Sequence, residues 1–173
     1  MKNKLLLLIA IVIIVVSSIV FFLLAKKNDN IQLDGDYIIT YSYGGGYGTY
    51  ISTITKTIEL DSKGNVLIYA YVYDEKEVKK YRVSDSEIED LANEMTHGKF
   101  SRLKSDISDD NCLDAGSSTL SIKTKDYEKS VYNYCKYNKT YDEARDAFMN
   151  IVGRNNLNDF EEYLGDKYEN SGY

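Results

Sequence analysis

Apolar positions along this chain are spaced first continuously, then by two, then by about three and a half, and the last two patterns each occur twice. DYIITYSY (36–43) and YGTYISTITKTIEL (47–60) alternate as strands. DSKGN (61–65) predicts a turn in which Gly64 supplies the left-handed residue, and VLIYAYVY (66–73) is the returning strand. A shorter strand, VKKYRV (78–83), leads into a helix opened by a Ser84/Glu87 capping box. That helix carries Ile88, Leu91, Ala92 and Met95 on one face and ends at Gly98. STLSIKT (118–124), the turn KDYE and KSVYNYC (129–135) predict a second hairpin. Thr140 and Glu143 form a second capping box, ahead of a helix with Tyr141, Ala144, Phe148, Ile151 and Val152 in line and Gly153 at its end. A last helix, 157–164, aligns Leu157, Phe160 and Leu164 and stops at Gly165.

Strands followed by a helix, twice, predict an α+β domain in which an antiparallel sheet of two hairpins plus a short strand carries two to three helices on one face. With residues 62–64 as the loop, Ile58 pairs with Ile68 and Thr57 with Tyr69. With Gly44, Gly45 and Gly46 as a three-residue tip, Tyr43 pairs with Tyr47 and Ile39 with Ile51. Together these registers put Ile38, Ile54, Ile58, Leu60, Val66, Ile68, Ala70 and Val72 on the helix side. They put Tyr37, Tyr41, Tyr43, Tyr47, Tyr69, Tyr71 and Tyr73 on the other. Tyrosine and threonine suit a wet sheet face, as cross-strand packing pairs or as a recognition surface, since aromatic rings with polar tips are common interface anchors. Without tryptophan, a carbohydrate platform has less support.

The continuous run, residues 5–25, has no charge in 21 positions, and as a helix it would span about 30 Å, the thickness of a bilayer core. It reads as a transmembrane anchor. The alternative is a cleaved signal, whose apolar region is normally shorter and whose cleavage site is poorly matched here. The expected organisation is a cytoplasmic 1–4, the anchor at 5–25, a polar tether at 26–34, an extracytoplasmic domain at 35–165 and a mobile tail at 166–173. Cys112 and Cys135, both outside the anchor, are compatible with one disulfide in an oxidising compartment or with two separate thiols.

Charge narrows the partners. Residues 31–173 hold 17 basic and 26 acidic residues, a net −9, and an acidic surface without a basic run disfavours nucleic acid. The glycine cluster fits neither phosphate-binding motif, because a strand and not a helix follows it. DISDDNCLDAG (106–116) concentrates Asp106, Asp109, Asp110 and Asp114, which read first as an exposed acidic loop and only secondarily as candidate calcium ligands, since the EF-hand spacing is not met. His97 is the single histidine and complements the dipole at a helix C-terminus. Asn138-Lys139-Thr140 matches a glycosylation sequon. No nucleophile motif or cofactor signature is found. The function expected is a membrane-anchored binding, accessory or inhibitor-like module for a protein or wall component. One alternative is a small hydrolase of an extracellular polymer using the aspartates of 106–114, with or without calcium. The other is a structural spacer.

Overall fold

The computed structural model describes residues 33–46, 48–84, 86–109, 112 and 115–169. The anchor expected at 5–25, most of the tether, and Tyr47, Asp110 and Asp114 lie outside the described residues. Among the described residues, no helix is long and apolar enough to cross a membrane.

The domain is α+β, with one six-stranded antiparallel sheet of order β4-β3-β2-β1-β5-β6. Its strands are β1 (Tyr37–Gly44), β2 (Lys56–Asp61), β3 (Asn65–Val72), β4 (Glu75–Arg82), β5 (Ser117–Thr124) and β6 (Glu128–Tyr134). The helices are α1 (Tyr50–Thr53, a single turn), α2 (Glu87–His97), α3 (Lys139–Val152) and α4 (Arg154–Tyr168). The β2–β3 and β5–β6 hairpins expected from the alternation are present. Ile58 faces Ile68 and Thr57 faces Tyr69, with Gly64 at φ 79° in the turn.

The first connection differs from expectation. The glycines are not a hairpin tip: β1 pairs with β2 as Tyr41↔Ile58 and Tyr43↔Lys56, after a loop that contains α1, so 47–60 is not one strand. Partner numbers in this pair add up to an odd total where a three-residue tip would make an even one, so β1 is turned over. Ile39 and Tyr41 face the helices and are buried, while Ile38 looks the other way. Ile54 leaves the sheet altogether and ends the α1 turn. Glycine is required at 44 because a Cβ there would lie 2.8 Å from the Thr55 backbone.

The core lies on one side of the sheet. Ile39, Ile58, Leu60, Val66, Ile68, Leu120, Ile122 and Val131 are fully buried there against Met95 of α2, Phe148 of α3 and Leu164 of α4. The apolar faces expected of the helices at 87–97 and 139–152 are the buried ones. Their caps sit elsewhere than expected. Ser86 precedes α2 without a side-chain bond. Asn138 caps α3, accepting from the Tyr141 N–H at 3.1 Å while Asp142 accepts from the Asn138 N–H at 3.0 Å. The fourth helix starts three residues before the expected 157 and runs through Gly165 to Tyr168, so the expected tail is helical over its first three residues.

Candidate binding surface

On the face away from the helices a row of side chains crosses all six strands: Val78, Tyr69, Thr57, Ser42, Thr119 and Tyr132. Its centre is hydroxylated, with Ser42 and Thr57 hydrogen bonded at 3.0 Å. Its β3–β4 side is aromatic. Tyr69 meets Tyr71 edge-on at 6.2 Å, and the Lys76 ammonium sits 4.1 Å from the Tyr69 ring centre, a cation–π contact across the strand pair.

The β3–β4 connection is a two-residue turn in which Tyr73 (φ 49°) and Asp74 (φ 68°) are both left-handed, as the twist of a tight hairpin demands. A bulky residue in that region is uncommon. Here the turn swings the Tyr73 ring off the sheet. It stacks on Tyr50 of α1 at 5.0 Å and 13°, and meets Tyr168 of α4 edge-on at 6.0 Å. Tyr71 and Tyr73 are 58% and 64% exposed. Two aromatic pairs, Tyr69–Tyr71 on the sheet face and Tyr73–Tyr50 beyond the turn, thus make up an aromatic strip around the hairpin tip.

The far end of the strip is fixed by charge. Glu77 accepts from Lys167 Nζ at 2.6 Å, from the Tyr168 hydroxyl at 2.5 Å and from the Tyr163 hydroxyl at 2.8 Å. These donors, Lys167 foremost, hold the Glu77 carboxyl below its usual range. The accepting carboxylate in turn pushes the Tyr168 hydroxyl up to about 12.

Three of the expected surface tyrosines are elsewhere, because β1 is turned over. Tyr41 is buried against Phe148, with ring centres 6.2 Å apart. Tyr43 points under the glycine loop, where its hydroxyl donates to Glu161 at 2.7 Å. Tyr37 lies on the helix side beside α2. Beneath the same loop Lys56, only 1% exposed, donates to the Ile51 carbonyl and lies 3.7 Å from Glu161. The Ile51 N–H meets Glu169 at 2.8 Å. Burial pulls the Lys56 ammonium below its usual range, and Glu161 only partly offsets this. Ile51 of α1 is therefore held at both its N–H and its carbonyl. Tyr43→Phe is expected to cost about 1 kcal/mol through the lost charge-assisted bond, with little change in fold, as measured by urea unfolding.

Comparison with protein-family models and with curated proteins finds no match to either.

The start of the aspartate-rich segment, with residues 105–109, runs along the outer edge of β6. The Ile107 and Asp109 N–H groups donate to the Tyr132 and Tyr134 carbonyls, each at 3.0 Å. Asp106 is exposed, and the Ser108 side chain and N–H bonding to it hold its carboxyl below the usual range, the reverse of what a general acid needs. Among the described residues no cluster of His, Cys, Asp or Glu could hold a metal ion. Cys112 and Cys135 form a disulfide, with Cα atoms 6.1 Å apart, that ties this segment to the end of β6. His97 occupies the last turn of α2, as its position in the sequence suggests. Tyr50 and Tyr168 were not anticipated as surface residues. Their contribution depends on α1 and on the extra turn of α4.

Proposed function

We propose that this chain is a membrane-anchored, extracytoplasmic binding or accessory module that engages a protein or cell-envelope partner through the tyrosine strip at the β3–β4 tip. The observation that carries this reading is the strip itself, in which exposed rings are held in place by their neighbours. Rings already locked into stacked and edge-on contacts lose little side-chain entropy on binding, which is where recognition surfaces gain affinity. Lys76, over the Tyr69 and Tyr71 rings, gives the strip a cationic flank on an otherwise acidic domain. The disulfide supports an oxidising compartment, and the apolar run at 5–25 supports attachment at a membrane.

The test is capture of the partner from envelope fractions of the source cells by the full chain and by a Tyr71→Ala/Tyr73→Ala double variant. Loss of two central aromatic anchors is expected to weaken capture at least about tenfold while leaving the melting temperature nearly unchanged. Equal capture by the variant would remove the strip from function.

A further inference from the structure

At the end of β3 opposite the β3–β4 turn, a groove of about 840 Å³ opens between α2 and the ends of β1 and β5. Its floor is apolar, made by Ile88, Ala92 and Ile122, each 5% exposed or less. One wall follows α2 from Ser86 to His97, about 17 Å at the helical rise, which matches some five residues of extended chain. Tyr37 and Tyr127 supply aromatic surface on the sheet side.

Charge is concentrated at one end. Asp36 and Glu89 line the groove beside Tyr37, both are exposed, and among the described residues neither carboxylate forms an ion pair. Burial first, and then the charges of Glu89, Asp36 and Asp61, push the Tyr37 hydroxyl up, which marks the place as electronegative. Two groups oppose a cation there. Lys63 is already paired with Asp34 at 3.0 Å. The positive end of α2, worth about half a charge, is outnumbered by Glu87, Glu89 and Asp90 in its first turn. His97 stands at the other end of the groove.

We propose that the groove takes an extended segment of a partner polypeptide, with a lysine or arginine side chain seated between Asp36, Glu89 and the Tyr37 ring. A carboxylate pair beside an aromatic face satisfies such a cation by ion pairing and by cation–π attraction together, while the apolar floor takes its methylene stem. This site is separate from the tyrosine strip and does not depend on it.

The test uses the full chain and the probe peptide acetyl-Gly-Ser-Arg-Ser-Gly-amide, followed through the backbone amide resonances of Tyr37, Glu89 and Ala92. Saturable shifts at these three amides are expected. Replacing the arginine of the probe by neutral citrulline should weaken binding at least about tenfold, as should the Asp36→Asn/Glu89→Gln variant, whose exposed side chains leave the fold intact. The Tyr71→Ala/Tyr73→Ala variant should bind the probe as the parent does. Arginine and citrulline probes that act alike, or fail alike to move these amides, would overturn the proposal. So would n-butylguanidinium binding as tightly as the peptide, since the groove would then serve only a small cation.

Discussion

Replacing Asp61 by alanine is expected to remove about 4 kcal/mol of folding stability, a large share of what a domain of this size possesses. Asp61 is fully buried at the end of β2. Its two oxygens accept from the Asp34 N–H at 3.1 Å, the Lys63 and Asn65 N–H groups at 2.9 Å and the Asn65 side-chain amide at 2.8 Å. Removing the carboxylate strands four donors at once, and those nearest the core have no route to water. Urea unfolding should show a lower midpoint with an unchanged slope. The pH dependence has a definite sign. Burial pushes this carboxyl up, but the bonds from Asn65, Asp34 and Lys63 outweigh it, so the folded-state value lies below the ordinary one of about 4. Its contribution is therefore complete above about pH 4 and disappears as the pH falls through the lower folded-state value. The gap between parent and Asp61→Ala should narrow over that acid interval by the part that depends on the carboxylate's charge. Two curves that stay parallel down to about pH 2 would show that the carboxylate's bonds are not what stabilises the turn.

This turn was legible in the sequence because everything that determines it is local. Asp61, Gly64 and the alternation on both sides set the β2–β3 register, and the faces of Tyr69 and Tyr71 follow from it. The helix-facing residues of α2 and α3 were legible for the same reason, since their period is written within one element. β1 was not. Ile38 and Ile39 offer an apolar side chain to either face, and tyrosine is at home in core or water, so TYSY does not declare its own orientation. The parity of β1 is set by contacts far along the chain. It pairs with β5, more than 70 residues away, through Tyr41↔Leu120, and Phe148 of α3 covers the Tyr41 ring. The glycines looked like a tip because three together are usually a turn. Their use here is close backbone approach, of Gly44 to Thr55 and Gly46 to Gly116, and positive φ at Gly45 and Gly46.

Of the two surfaces, the strip was half legible and the groove not at all. Tyr69, Tyr71 and Tyr73 come from one strand and its turn, whereas Tyr50 and Tyr168 join them only through α1 and α4. The groove exists because α2 stands off the ends of β1 and β5, a distance that no periodicity encodes. One signal was available for the buried lysine. Lys56 shares its parity with Ile58 and Leu60, and a cation in step with a core face needs a partner, which Ile51 and Glu161 provide.

Loss of the disulfide is expected to cost about 3 kcal/mol, the chain-entropy value for a loop closed across a separation of 23 residues. The loop holds the whole β5–β6 hairpin, so the cross-link also limits how far 105–109 can leave the β6 edge. Reduction should therefore act twice. The melting temperature should fall by several degrees, and the Ile107 and Asp109 amides, which bond to β6 carbonyls, should exchange with solvent well before the core strands do. A sharper comparison is available within the disulfide-free background. Cys135 has φ 63°, a conformation that costs a non-glycine residue about 1 kcal/mol or more. Cys112→Ser/Cys135→Gly should then be about 1 kcal/mol more stable than Cys112→Ser/Cys135→Ser, because glycine tolerates that backbone and serine does not. The reverse order would mean that residue 135 relaxes once the bond is gone, so that the cross-link and not the local turn imposes its conformation. The same dependence bears on where the domain can work. A fold that loses about 3 kcal/mol on reduction is at a disadvantage wherever thiols are kept reduced, so cytosolic expression should yield less folded protein than export, in proportion to the fraction of chains left unbridged.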